Sequence, residues 1–119
     1  MTETTGTRRR RARSGAQLVT IYWRDIPAQV TAQASERRAQ ALLPARFQKA
    51  IDKAARVAGL TDRHRYIEQW RRVAIPIDPD TPLDALVHDE AQRLDTLHDR
   101  QALAALVGNG GQHPDGATA

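Results

Sequence analysis

The segment that most restricts the fold is residues 18–34, LVTIYWRDIPAQVTAQA, where two alternating runs flank a charged pair and a proline. In residues 17–24, Val19, Ile21 and Trp23 would share one face of a strand and Leu18, Thr20 and Tyr22 the other, because successive side chains alternate. Pro27 lacks an N–H and drives Ile26 toward an extended backbone, so Asp25-Ile26-Pro27 reads as a turn or bulge rather than a strand centre. Val30, Ala32 and Ala34 then alternate with Thr31, Gln33 and Ser35 in a weaker second strand. A β-hairpin with a short irregular turn is the simplest arrangement.

Residues 36–43, ERRAQALL, suit either a helix or a third short strand, and their composition does not decide between the two. From Pro44 the pattern turns helical, with proline at the first helical position, Gly59 at the stop and Phe47, Ala50, Ile51, Ala54, Val57 and Ala58 as the apolar stripe. Thr61 is the expected cap of a short helix running to about Arg72, with Tyr66, Ile67 and Trp70 on one face. VAIPID is a brief extended piece whose Pro76 suits an edge strand or a connector. The last helix is expected to open at Thr81 with Pro82 first and Asp84 in the capping-box place. It would run through Leu83, Leu86, Val87, Leu94 and Leu97, and on through Leu103, Leu106 and Val107 to Gly108.

These elements imply a small α+β domain: an N-terminal hairpin, with a third strand left open, packed by two to three helices. Residues 1–15 and the glycine-rich 108–119 have too little apolar content to fold, so disordered tails are expected around a body at 16–107. The body is long enough for one modest core. The chain has no cysteine, which rules out disulfides, thiolate catalysis and cysteine-ligated metals. It has no apolar run of the roughly 18 residues that would suggest a membrane span, and no signal-peptide pattern, so a cytoplasmic location is expected. The net charge of +4 is carried entirely by Arg8, Arg9, Arg10, Arg11 and Arg13 against Glu3. The rest of the chain, 16–119, is neutral but polarised, with 11 basic and 5 acidic residues over 24–72 and 2 against 7 over 73–107.

No arrangement of residues forms a convincing catalytic set. The chain has no phosphate-cradling glycine loop and no nucleophile elbow. Asp84, His88, Asp95, His98 and Asp99 would fall on one broad face of the last helix, spread over more than three turns, which suits a solvated face better than a metal site. No catalytic residue, metal or cofactor is therefore expected. The aromatic residues have two readings: core packing, or a surface where tryptophan lies beside arginine, a composition common at interaction hot spots.

VTIYWRDIPAQV, LPARFQKAIDKAARVAG and YIEQWRR together resemble a short bacterial domain family labelled virulence factor, over about residues 17–72. Its members occur alone or fused to larger proteins implicated in virulence-gene expression, and the label describes phenotype rather than chemistry. ERRAQALL is more helical than the extended piece the resemblance implies there. With no catalytic set and with tryptophan beside arginine, the chain reads as a non-catalytic accessory or protein-interaction module resembling this family, with a regulatory role. Its partner would be another protein, met at a surface of Trp23, Arg24, Asp25, Tyr66, Trp70, Arg71 and Arg72 on the hairpin turn and a YIEQWRR helix. A second reading is a nucleic-acid-associated regulator that uses the arginine-rich tail alone. A third, from an association of stand-alone members with corrinoid-dependent methyl transfer, is an accessory protein of such a system. Oligomeric state is left open. If the tail binds nucleic acid, deleting residues 1–15 should abolish salt-sensitive retention on DNA or RNA columns; unchanged retention would remove the second reading.

Overall fold

Strands β1 (Gln17–Trp23) and β2 (Ile26–Ala34) form the expected hairpin in a computed structural model that describes residues 15–113. Expectations for residues 1–14, including Arg8, Arg9, Arg10, Arg11 and Arg13, and for 114–119 lie outside the described residues. Two further strands, β3 (Arg37–Leu42) and β4 (Trp70–Pro76), complete an antiparallel sheet of order β3-β2-β1-β4. Two helices, α1 (Ala45–Ala58) and α2 (Arg63–Ile67), lie between β3 and β4, and two more, α3 (Leu83–Leu97) and α4 (Arg100–Gly108), follow β4. The class is α+β, as the sequence implied.

Pro27 lies inside β2, and the register explains how the sheet tolerates it. β1 pairs regularly with β2 as far as Ile21↔Gln29, then resumes at Tyr22↔Pro27, leaving Ala28 unopposed as a bulge. β3 pairs only with residues 29–34 of β2, so Pro27 sits at a local edge where its missing N–H breaks no ladder. Leu18 and Trp23, on opposite faces of β1 by alternation, both belong to the hydrophobic core, so both faces of this strand are covered in part.

Residues 37–42 settle as a strand because Ala39 and Ala41 stand opposite Ala32 and Val30, placing small apolar groups where the sheet meets α3. Pairing overrides helix propensity here. In α1 the buried stripe is Phe47, Ala50, Ile51, Ala54 and Ala55, while Val57 is exposed. Pro44 is the N-cap rather than the expected first helical residue, and Gly59 closes the helix at φ 72°.

The expected helix through Arg72 is corrected. Asp62, not Thr61, caps α2 by accepting from the Arg65 N–H, and α2 stops after five residues. Trp70, Arg71 and Arg72 belong to β4, where they pair with Trp23, Tyr22 and Ile21. A helix this short gains little from its own bonds, whereas β1 offers a free edge seven residues long. The expected edge-strand role of VAIP holds, with β4 beginning three residues earlier than that segment.

The last helix is two helices, not one. His98 ends α3, and the Asp99 carboxylate accepts the Ala102 N–H at 2.9 Å to start α4. Arg46 of α1 supports the break by donating to the carbonyls of Asp95 at 3.2 Å and His98 at 3.0 Å, while its ion pair with the Asp95 carboxylate joins α1 to α3. At the start of α3, Pro82 is the N-cap and no side chain caps the helix, so neither Thr81 nor Asp84 forms the expected box. α4 lies against α1, and α3 covers β2 and β3. Asp99→Ala should cost about 1 kcal/mol in urea unfolding, with Asp99→Ser close to wild type; equal stability of all three proteins would contradict a capped break.

Candidate functional site at the hairpin turn and strand β4

The turn between β1 and β2 is two residues, Arg24 and Asp25, and it ties three distant segments together. Trp23 is fully buried and donates its indole N–H to the Tyr66 carbonyl at 2.9 Å. The Arg24 backbone N–H reaches the Gln69 carbonyl at 3.1 Å, its Nε the Gln69 Oε1 at 3.0 Å, and its Nη1 the Gly110 carbonyl at 3.0 Å. Asp25 receives Arg71 Nη2 on Oδ1 at 3.2 Å and the His113 N–H on Oδ2 at 2.9 Å, and donates its own N–H to the Gly111 carbonyl at 2.8 Å. Arg71 Nε closes the set on the Arg24 carbonyl at 2.7 Å.

Residues 110–113, beyond the body expected at 16–107, take part in this knot. Gly110 and Gly111 are buried. They close α4 with a paired C-terminal turn, Gly110 N–H to Val107 O at 3.0 Å and Gly111 N–H to Leu106 O at 2.7 Å, with Gly110 at φ 70°. Gly111, at φ 93°, lies so close to the indole that a β-carbon would stand 2.9 Å from Trp23 Cζ3. The sequence carried the signal: a Gly-Asn-Gly-Gly run at the end of an amphipathic helix is C-cap chemistry as well as tail chemistry.

The seven residues singled out as a surface therefore divide. Trp23 is core and is unavailable to a partner. Tyr66 and Trp70 are half-buried and pack edge-on, centroids 6.1 Å apart, and Tyr66 also lies 5.5 Å from Trp23. Arg24 and Asp25 are partly buried and spend their polar atoms on the knot. Arg71 and Arg72 are exposed on β4, and Arg71 also lies over the Tyr22 ring, 4.5 Å from its centroid. Burial raises the Tyr22 phenol above its ordinary value, and the Arg71 guanidinium opposes that shift.

β4 also exposes Val73 and Ile75, large apolar residues the sequence reading had not placed on the surface. Trp70 is half-buried and the other six residues of the strand are exposed. Register puts Arg71, Val73 and Ile75 on one face and Arg72 and Ala74 on the other. The helical carboxylate–imidazole band is dispersed: Asp95 holds Arg46, His98 Nδ1 lies 2.8 Å from the Leu94 carbonyl, Asp99 caps α4, and Asp84 and His88 are exposed. No group of three potential metal ligands forms among the described residues, and no helix among them is long and apolar enough to cross a membrane.

Compared with known proteins, residues 21–107 match the sequence family described as virulence factor. No curated protein and no solved structure matches the chain.

Arg24 and Ser35 provide a matched test of the knot. Each opens a two-residue turn at positive φ, 55° and 54°, a conformation that strains an L residue by roughly 1–2 kcal/mol. Ser35 is exposed, and among the described residues its side chain forms no hydrogen bond. Ser35→Gly should stabilise by about 0.5–1 kcal/mol. Arg24→Gly relieves the same strain yet should destabilise by about 1–3 kcal/mol through lost buried hydrogen bonds. Equal stabilisation by both in urea unfolding would show that the Arg24 side chain holds nothing together.

Proposed function

The chain belongs to the virulence factor family, and from that premise we propose that it is a non-catalytic accessory module that recruits a partner protein along the free edge of β4. Family membership supports a broad accessory role. The observation that carries the finer reading is β4 itself, a seven-residue edge strand with six exposed positions.

An unpaired edge presents a row of backbone donors and acceptors, and natural sheets usually blunt such edges with charge, proline or a covering element. Here Arg71 and Arg72 stand toward one end and Pro76 at the other, while Val73-Ala74-Ile75 between them is left open. An extended partner segment would add a fifth strand, gaining affinity from main-chain bonds and selectivity from alternate side chains. On the face of Val73 and Ile75 it would carry apolar residues. On the face of Arg72, which forms no ion pair among the described residues, it would carry an acidic one. Trp23, Arg24 and Asp25 serve this reading indirectly, by fixing where the edge lies.

Selection from a displayed library of ten-residue peptides tests the proposal. Enriched peptides should alternate apolar and acidic residues, protect the 70–76 amides from hydrogen exchange, and bind a folded Val73→Lys/Ile75→Lys variant at least about tenfold more weakly, a loss of 1.4 kcal/mol. No enrichment, protection at another surface, or undiminished binding to the variant would refute it.

A further inference from the structure

The packing of α1 against α4 leaves a cavity of about 430 Å³ that the β4 surface does not include. Leu103 and Val107 of α4 form its apolar floor, and Arg46, Lys49, Lys53 and Arg100 line it with positive charge. The concavity exists because Ala50 and Ala104, which also line it, carry so little bulk. Its volume lies within the roughly 300–1,000 Å³ of small-molecule sites.

We propose that this groove binds a small amphiphilic anion, an apolar body bearing one carboxylate or phosphate. The charge arrangement is costly without such a guest. Lys49 and Lys53 are a like-charged i,i+4 pair, which weakens a helix by about 0.2–0.5 kcal/mol. α1 has no acidic residue in its first turn, so the positive end of its dipole adds to the same field. Arg46 is already neutralised by Asp95, but among the described residues Lys49, Lys53 and Arg100 form no ion pair. A polyanionic backbone would use the cations and leave the floor empty, and a neutral apolar ligand would leave the cations unanswered. An amphiphilic anion uses both.

The test is an NMR titration of the full chain with decanoate, decyl phosphate and neutral decanol, all below their aggregation limits. Decanoate and decyl phosphate should shift the resonances of Ala50, Leu103 and Val107 saturably, and the tighter of the two identifies the headgroup. Decanol should bind more weakly than either. Lys49→Gln/Lys53→Gln should weaken both anions about tenfold. Ala104→Phe, at an exposed position and checked to be folded by its amide spectrum, should block them by filling the groove. The proposal is overturned if no saturable shift occurs, if decanol binds equally well, or if either variant binds like wild type. It is overturned equally if an acidic amphipathic helical peptide occupies the groove while both alkyl anions fail to bind.

Discussion

The burial of Trp23 is the interaction on which the rest of the structure depends. Its indole lies where β1, β4, α2 and the glycine turn after α4 converge, and enclosing a side chain of that size is worth roughly 4–6 kcal/mol. That is comparable to the whole net stability of many small domains. The enclosure is made by partners that are themselves held in place. Tyr66 and Gly111 close over the ring, Trp70 packs on Tyr66, and Arg24 lies 5.7 Å from the ring centroid. Arg24 and Asp25, the two residues that follow Trp23, then bond to Gln69, Gly110, Gly111, Arg71 and His113.

This arrangement gives the charged turn a structural meaning. An arginine in a glycine-like conformation at a tight turn is strained, and the strain persists because its side chain and backbone link elements up to 86 residues apart in sequence. The consequence for function is positional. The knot anchors the first residues of β4 through Gln69 and Arg71, and the remainder of that strand projects as an unpaired edge. At the other end of α4 from its glycine turn, the same economy recurs: Arg46 and Asp99 terminate one helix and start the next, and the resulting packing of α4 on α1 opens the cationic groove.

Much of the fold was legible because local pattern and tertiary need agree. The hairpin follows from alternation around Pro27, α1 from a threefold and fourfold stripe ending at Gly59, and the α+β class from their sequence order. The misreadings share a cause: in each, partners remote in sequence decided the outcome. ERRAQALL becomes a strand because of what stands opposite it in β2. Trp70 contacts Tyr66 as an i,i+4 helical pair would, yet does so from β4, because the edge of β1 competes successfully for the chain. Asp99 caps a helix inside a run of good helix formers, where only Arg46, some 50 residues earlier, marks the break. The site was half legible. Arg24-Asp25 stands out in the sequence, but its hydrogen-bond partners at 110–113 lie in a segment whose composition argues for a tail, and Gly111 of that segment closes over Trp23.

Native-state hydrogen exchange at two backbone amides tests the central claim most directly. The Asp25 and His113 N–H groups lie 88 residues apart in sequence and belong to the same bonded set. If the knot is one cooperative unit, both amides exchange only through a shared opening, and both lose protection together in Arg24→Ala while the amides of the β1–β2 ladder keep theirs. Free exchange at His113 alongside a protected Asp25, or protection at both that Arg24→Ala leaves unchanged, would contradict it.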